Sequence, residues 1–220
     1  MLPSQHEPKA PEDFIGQAQK RAFQIRDDLR KCVAAKAPVK MLIHGLPGVG
    51  KTSLGAFVAA ELGISEWSRH HYNGTQVRVE QLDELQKLIP TTSLYDDRRF
   101  IQIDEADSIP TVAQTRFLSV LDLINKYPRN VLVCTSNNDL GDLQARFQTR
   151  FYPYSVANVN TEELAAWLTV RWGIPAVVAR QIAFGSGGNV RAALLDADKA
   201  TPLHSLSHPL GEGRGEGKAA

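Results

Sequence analysis

The chain is short of cysteine, of excess charge and of long apolar runs, and each shortage removes a class of protein. Two cysteines, Cys32 and Cys134, make neither a disulfide framework nor a zinc site, which needs ligands in closely spaced pairs. Both read as small core hydrophobes in a reducing cytosol. The 25 basic residues stand against 24 acidic ones, a formal net charge of +1; this excludes a histone-like protein that holds DNA by bulk charge but leaves local basic patches open. No apolar run nears the roughly 18 residues that a bilayer span needs. Met1–Glu7 lacks the charged and apolar regions of a signal peptide. These absences predict a cytoplasmic protein with no membrane role. What remains is enough for a core: 220 residues, 43% of them hydrophobic, suit one medium domain plus a small second one.

The most informative stretch runs from Val39 to Ser53. An apolar run, Val39, Met41, Leu42 and Ile43, ends in Gly45-Leu-Pro-Gly-Val-Gly-Lys-Thr52, which reads as strand, phosphate loop and helix start. Gly45, Gly48 and Gly50 let the backbone curl and aim N–H groups at an anion, assisted by the positive end of the following helix. Lys51 reaches the β and γ phosphates, and Thr52 offers a hydroxyl to a magnesium ion bridging them. Pro47, Val49 and Ser53 complete the nucleotide-contacting stretch.

The second landmark is Arg99-Phe-Ile-Gln-Ile-Asp-Glu-Ala-Asp107, an apolar strand running into adjacent acids. A buried strand delivers Asp104 to the carboxyl edge of a sheet, where it can hold the magnesium's water shell, and Glu105 can orient an attacking water. Asp107 reads as a cap on the next helix. A third apolar run, Val131 to Asn137, brings Asn137 to the same edge, where it either holds that water or is a plain turn residue.

Between these landmarks, apolar spacing predicts amphipathic helices from Ala18 to Ala35, Ser53 to Leu62, Val79 to Ile89 and Pro110 to Asn125. Trp67 to Asn73 reads as a short strand and Asn73-Gly74-Thr75 as a turn. His70 and His71 are adjacent, so on a strand they point to opposite faces, which argues against shared metal ligation. Lys20, Arg21, Arg26, Arg30 and Lys31 read as a solvated basic surface.

The assembled order resembles the AAA+ ATPases, and among them the clamp-loader small subunits and related DNA-replication and recombination proteins, over roughly residues 11–200. Phe14-Ile-Gly-Gln17 looks like the family's box before the phosphate loop, which implies that Phe14 and Ile15 line the nucleotide site. Asp104-Glu-Ala-Asp-Ser108 with Gln114 is similar to the clamp-loader form of the acidic strand end. Asn73-Gly-Thr75 also sits where that family places an Asn-containing turn. By resemblance Asn137 is sensor 1, Arg150 in Gln148-Thr-Arg-Phe151 is the arginine finger that enters a neighbouring subunit's site, with Arg146 as alternative, and Arg191 in Gly187-Gly-Asn-Val-Arg191 is sensor 2. Leu118 and Ser119 stand where clamp loaders carry two arginines, and Phe151, where they carry cysteine, is more like other branches, including Holliday-junction branch-migration motors.

The resemblance implies an α/β P-loop NTPase with a five-stranded parallel sheet and a small all-α lid. Residues 1–12 are an extended lead-in, 13–156 the nucleotide-binding domain, 157–200 the lid, and 201–220 a disordered tail, with no collar domain. The lid is expected to start on a Thr161 cap, to have little core of its own and to pack on the larger domain through Leu164, Trp167 and Leu168. The implied function is magnesium-dependent ATP hydrolysis at subunit interfaces, in a homo-oligomer or with related AAA+ subunits, remodelling a protein partner in DNA replication, recombination or repair. DNA is an expected partner, with Arg78, Lys87 and Arg116 as candidate contacts. The competing reading is an ATP-dependent assembly switch in a larger phage or mobile-element complex, with slow or partner-dependent hydrolysis.

Overall fold

In the computed structural model, residues 8–137 and 143–200 are described; the tail expected at 201–220 and the first part of the lead-in lie outside them. The strands are β1 Val39–His44, β2 Arg69–Asn73, β3 Arg99–Asp104, β4 Asn130–Ser136 and β5 Tyr152–Ser155. They form one sheet of order β2-β3-β4-β1-β5, with every neighbouring pair parallel. The inner strands β1, β3 and β4 are the apolar runs of the sequence, because a parallel strand covered on both faces has no solvated side on which to place polar residues. β2, reading Arg-His-His-Tyr-Asn, is an edge strand with no fully buried residue.

Helices α1 Gly16–Ala34, α2 Lys51–Glu61, α3 Val79–Leu88 and α4 Thr111–Lys126 cover the two faces. Ile25 and Leu29 of α1 and Leu54 and Phe57 of α2 pack with Met41 and Ile43 on one side. Leu82 and Leu85 of α3 and Phe117 and Leu121 of α4 pack with Ile101, Leu132 and Cys134 on the other. Strand alternation sorts the residues: Leu42 faces the second cluster while its neighbours Met41 and Ile43 face the first. Cys134 is fully buried, and Cys32 packs partly buried against the first cluster; burial pushes both thiols up.

A single helical turn, α5 Ala145–Gln148, precedes β5. The chain then enters α6 Thr161–Trp172, α7 Ala176–Gly185 and α8 Val190–Ala200. Contrary to expectation these helices build their own cluster, from Leu164, Leu168, Ile182 and Leu194 with Ile174 of the link between α6 and α7, to which the body adds Ile15. Small residues make this possible: Ala165, Ala179, Ala183, Ala193 and Ala197 let three short helices approach closely. The α6 cap is Asn160 rather than Thr161, its Oδ1 accepting the N–H groups of Glu162 and Glu163. Among the described residues no helix is long and apolar enough to cross a membrane.

Candidate nucleotide site

All five strands point their carboxyl ends the same way, so the loops that follow β1, β2, β3 and β4 share one edge of the sheet. The loop after β1 takes Gly45, Gly48 and Gly50 through positive φ, at 147°, 81° and 99°. Lys51 opens α2 nearly buried, at 6% exposure, and its ammonium donates to the carbonyls of Gly45 and Leu46, both at 2.8 Å. These partners are neutral. Burial, opposed by Asp107, Asp104 and Glu105 and assisted by Arg191, therefore brings the Lys51 pKa down to about 8. A desolvated ammonium at a helix start, beneath a curled glycine loop, fits an anion. Thr52 lies exposed in the first turn of α2.

Asp104 ends β3 and is tied down on both oxygens. Its Oδ1 accepts from the Thr135 hydroxyl at 2.9 Å and the Gln102 amide at 3.0 Å. Its Oδ2 lies 2.8 Å from His71 Nε2. The Thr135 hydroxyl in turn accepts the Glu105 N–H at 3.2 Å, so one side chain of β4 fixes both acids. Glu105 sits at φ 56°, ψ 48°, a left-handed conformation that non-glycine residues rarely hold. Its carboxylate lies between two amides: Asn137 donates to Oε1 and Asn73 to Oε2, each at 3.3 Å. The Asn137 N–H binds Asp107 Oδ1 at 3.2 Å. One carboxylate and one hydroxyl, Asp104 and Thr52, are hard oxygen donors that suit a magnesium ion retaining most of its water.

Phe14, Ile15, Gly48, Val49, Gly50, Ser53 and Arg191 line one cleft between the body and the lid. The Arg191 N–H donates to the Gly48 carbonyl at 3.2 Å. Arg150 is elsewhere. It precedes Tyr152, which pairs with Met41 near the start of β1, so it lies at the opposite end of the sheet from Lys51. Its guanidinium donates to the Arg146 carbonyl at 2.7 Å and lies 3.5 Å from Asp122. Arg146 is held by Gln144 and Thr115. Neither arginine joins this chain's own site. Of the basic residues considered for DNA, Arg116 is paired with Asp83 at 2.7 Å.

Residues 41–154 match the ATPase family associated with various cellular activities (AAA), which is more than half of the chain. The chain belongs to the AAA ATPase family. The Holliday junction branch migration complex subunit RuvB of Paracoccus denitrificans is 42% identical over 59 residues, 26% of this chain and 17% of that one. The solved Thermotoga maritima RuvB Holliday junction branch migration motor matches with a TM-score of 0.70 at 19% identity, over 87% of this chain. A substituted form of that motor matches with a TM-score of 0.69 at 21% identity. This AAA chain spans 64% of the length of those solved chains. These relatives are Holliday junction branch-migration proteins, which fall among the recombination proteins that the resemblance included and in the branch that Phe151 suggested, rather than among clamp loaders.

Sequence reasoning missed Thr135, Gln102 and His71 as partners of Asp104. The first two had a signal: a polar side chain inside an otherwise apolar buried strand has to be satisfied by something. Adjacent His70 and His71 do diverge, His71 going to Asp104 and His70 lying near Arg99.

Proposed function

We propose that this AAA chain binds ATP with magnesium in the crevice between a body of residues 13–156 and a lid of residues 157–200, and hydrolyses it. The observation that carries this reading is the convergence of buried Lys51, tied-down Asp104 and amide-held Glu105 at one sheet edge. The loop from Gly45 through Pro47 to Ser53, with Phe14 and Ile15 beside it, holds the nucleotide. Lys51 and Arg191 bear on the phosphates. Thr52 and Asp104 hold the magnesium ion, which supplies neutralisation of phosphate charge. Glu105 orients the attacking water and Asn137 holds Glu105 and that water in line, so catalysis is positioning plus charge stabilisation. Arg150 serves a neighbouring copy or related subunit.

The names of the similar proteins favour a DNA recombination or repair motor with a protein partner over clamp loading. DNA is a proposed ligand; absence of any DNA affinity with ATP at low ionic strength would remove it.

Phosphate release by the wild type, Lys51→Ala and Glu105→Gln tests the reading. The wild type should turn over, Glu105→Gln should bind ATP yet turn over about 10² to 10⁴ times more slowly, and Lys51→Ala should lose ATP binding. Equal turnover by the wild type and Glu105→Gln, with and without DNA, would leave an assembly switch instead.

A further inference from the structure

The lid touches the phosphate loop through a residue with no role so far. Asn189 stands just before α8, after Gly187 and Gly188 at φ 58° and 79°. Its side-chain amide faces two ways. Oδ1 accepts the Ala192 N–H at 3.0 Å, capping α8, and Nδ2 donates to the Pro47 carbonyl at 2.7 Å. An amide N–H can only donate and a carbonyl can only accept, so the orientation of this side chain is fixed by its partners. The contact is tight: a Cβ on Gly48 would fall 2.2 Å from Asn189 Oδ1.

A planar trans peptide points its C=O and the following N–H in opposite directions. Pinning the Pro47 carbonyl to Asn189 therefore fixes the direction of the Gly48 N–H. The Arg191 N–H, bound to the Gly48 carbonyl at 3.2 Å, fixes the Val49 N–H in the same way. Both loop donors are turned away from the lid contact.

We propose that Asn189 is a positioning residue for nucleotide binding: it sets the Pro47–Gly48 peptide so that the loop's N–H groups are aimed before the phosphates arrive. The proposal rests on the nucleotide reading above. Asn189 touches no phosphate; it acts through the loop. Because such coupling is reciprocal, nucleotide in the loop also tightens the seat of α8.

Asn189→Asp and Asn189→Ser test this, since both residues still cap a helix. Neither can donate to Pro47: aspartate presents a carboxylate to a carbonyl, and serine is too short. We expect both variants to melt, without nucleotide, close to the wild type. Both should bind a fluorescent ATP analogue about tenfold more weakly, the loss of roughly one net hydrogen bond. Nucleotide should slow hydrogen exchange across residues 190–200 in the wild type and protect them less in both variants.

Lys51→Ala, measured alongside, separates two failures. If Lys51→Ala binds weakly while both Asn189 variants bind like the wild type, this proposal is overturned and the nucleotide reading stands. If the wild type itself fails to bind, both fall together. Melting of both Asn189 variants well below the wild type would assign Asn189 to holding the fold and overturn the proposal.

Discussion

Glu105 pays for its left-handed backbone, a cost on the order of 1–3 kcal/mol, and its surroundings hold it there: the Thr135 hydroxyl takes its N–H and two asparagine amides take its carboxylate. The histidines of β2 divide along the same logic. His71 serves Asp104, whereas His70 is half-buried, and burial, then the Arg99 charge, holds its pKa below the ordinary value. The consequence for stability has a definite sign. As pH falls through about 6.5 the unfolded chain takes up the His70 proton before the folded chain does, so stability is present above that pH and is lost on acidification. Melting temperatures between pH 7.5 and 5 should therefore fall less in His70→Gln than in the wild type, and an equal fall would refute the assignment. At this scale the placement of the charged groups was legible, since Lys51, Asp104 and Glu105 stand in strings whose spacing brings them to one sheet edge. Their neutral supports were less so: Thr135 becomes a partner only when β4 pairs with β3, and Asn189 meets Pro47 only when the lid packs on the loop, whereas Gln102, two residues before Asp104 on the same face of β3, was within reach of strand alternation alone.

An element's end matters as much as its body, and β2 illustrates it. Gly74 follows Asn73 and has ordinary φ, but a Cβ there would lie 2.0 Å from the carbonyl oxygen of Glu105. Backbone cannot yield as a flexible side chain can, so Gly74→Ala must push the end of β2 away from the loop after β3. Asn73 would then lose Glu105. We expect Gly74→Ala to retain ATP binding through Lys51 and to lose turnover by at least about tenfold, on the scale of one misaligned catalytic group. Unchanged turnover would mean that Asn73 does not position Glu105. The start of α6 offers a simpler case: Asn160→Ala leaves two N–H groups unsatisfied and should cost about 1 kcal/mol in denaturant unfolding. Most elements were legible because β1, β3, β4 and the body helices bury apolar faces whose period shows in the sequence. The lid core was harder to see, since its leucines and isoleucines meet only where alanines let the helices approach, and alanine at a helix contact looks like alanine anywhere.

Across the whole molecule, Lys51 and Arg150 lie at opposite ends of one sheet, and a folded copy has no way to bring them together. If Arg150 stabilises transition-state charge, it must do so in the site of another copy, through a head-to-tail contact. In this chain Arg150 is engaged with Arg146 and Asp122, bonds that docking would exchange for phosphate. Three results follow for ATP hydrolysis. Specific activity should climb with protein concentration if the complete site forms only at an interface. Arg150→Ala should lose about 10³-fold or more in turnover while still binding ATP, and Arg146→Ala should lose far less. An equimolar mixture of Arg150→Ala and Glu105→Gln, each inactive alone, should recover activity, because random head-to-tail assembly gives about a quarter of the interfaces an intact Glu105 facing an intact Arg150. An active Arg150→Ala, with a mixture no more active than its Arg150→Ala share, would mean that each copy completes its own site and that Arg150 serves the fold through Asp122. Recovery in the mixture would instead make the dimeric contact the smallest catalytic unit.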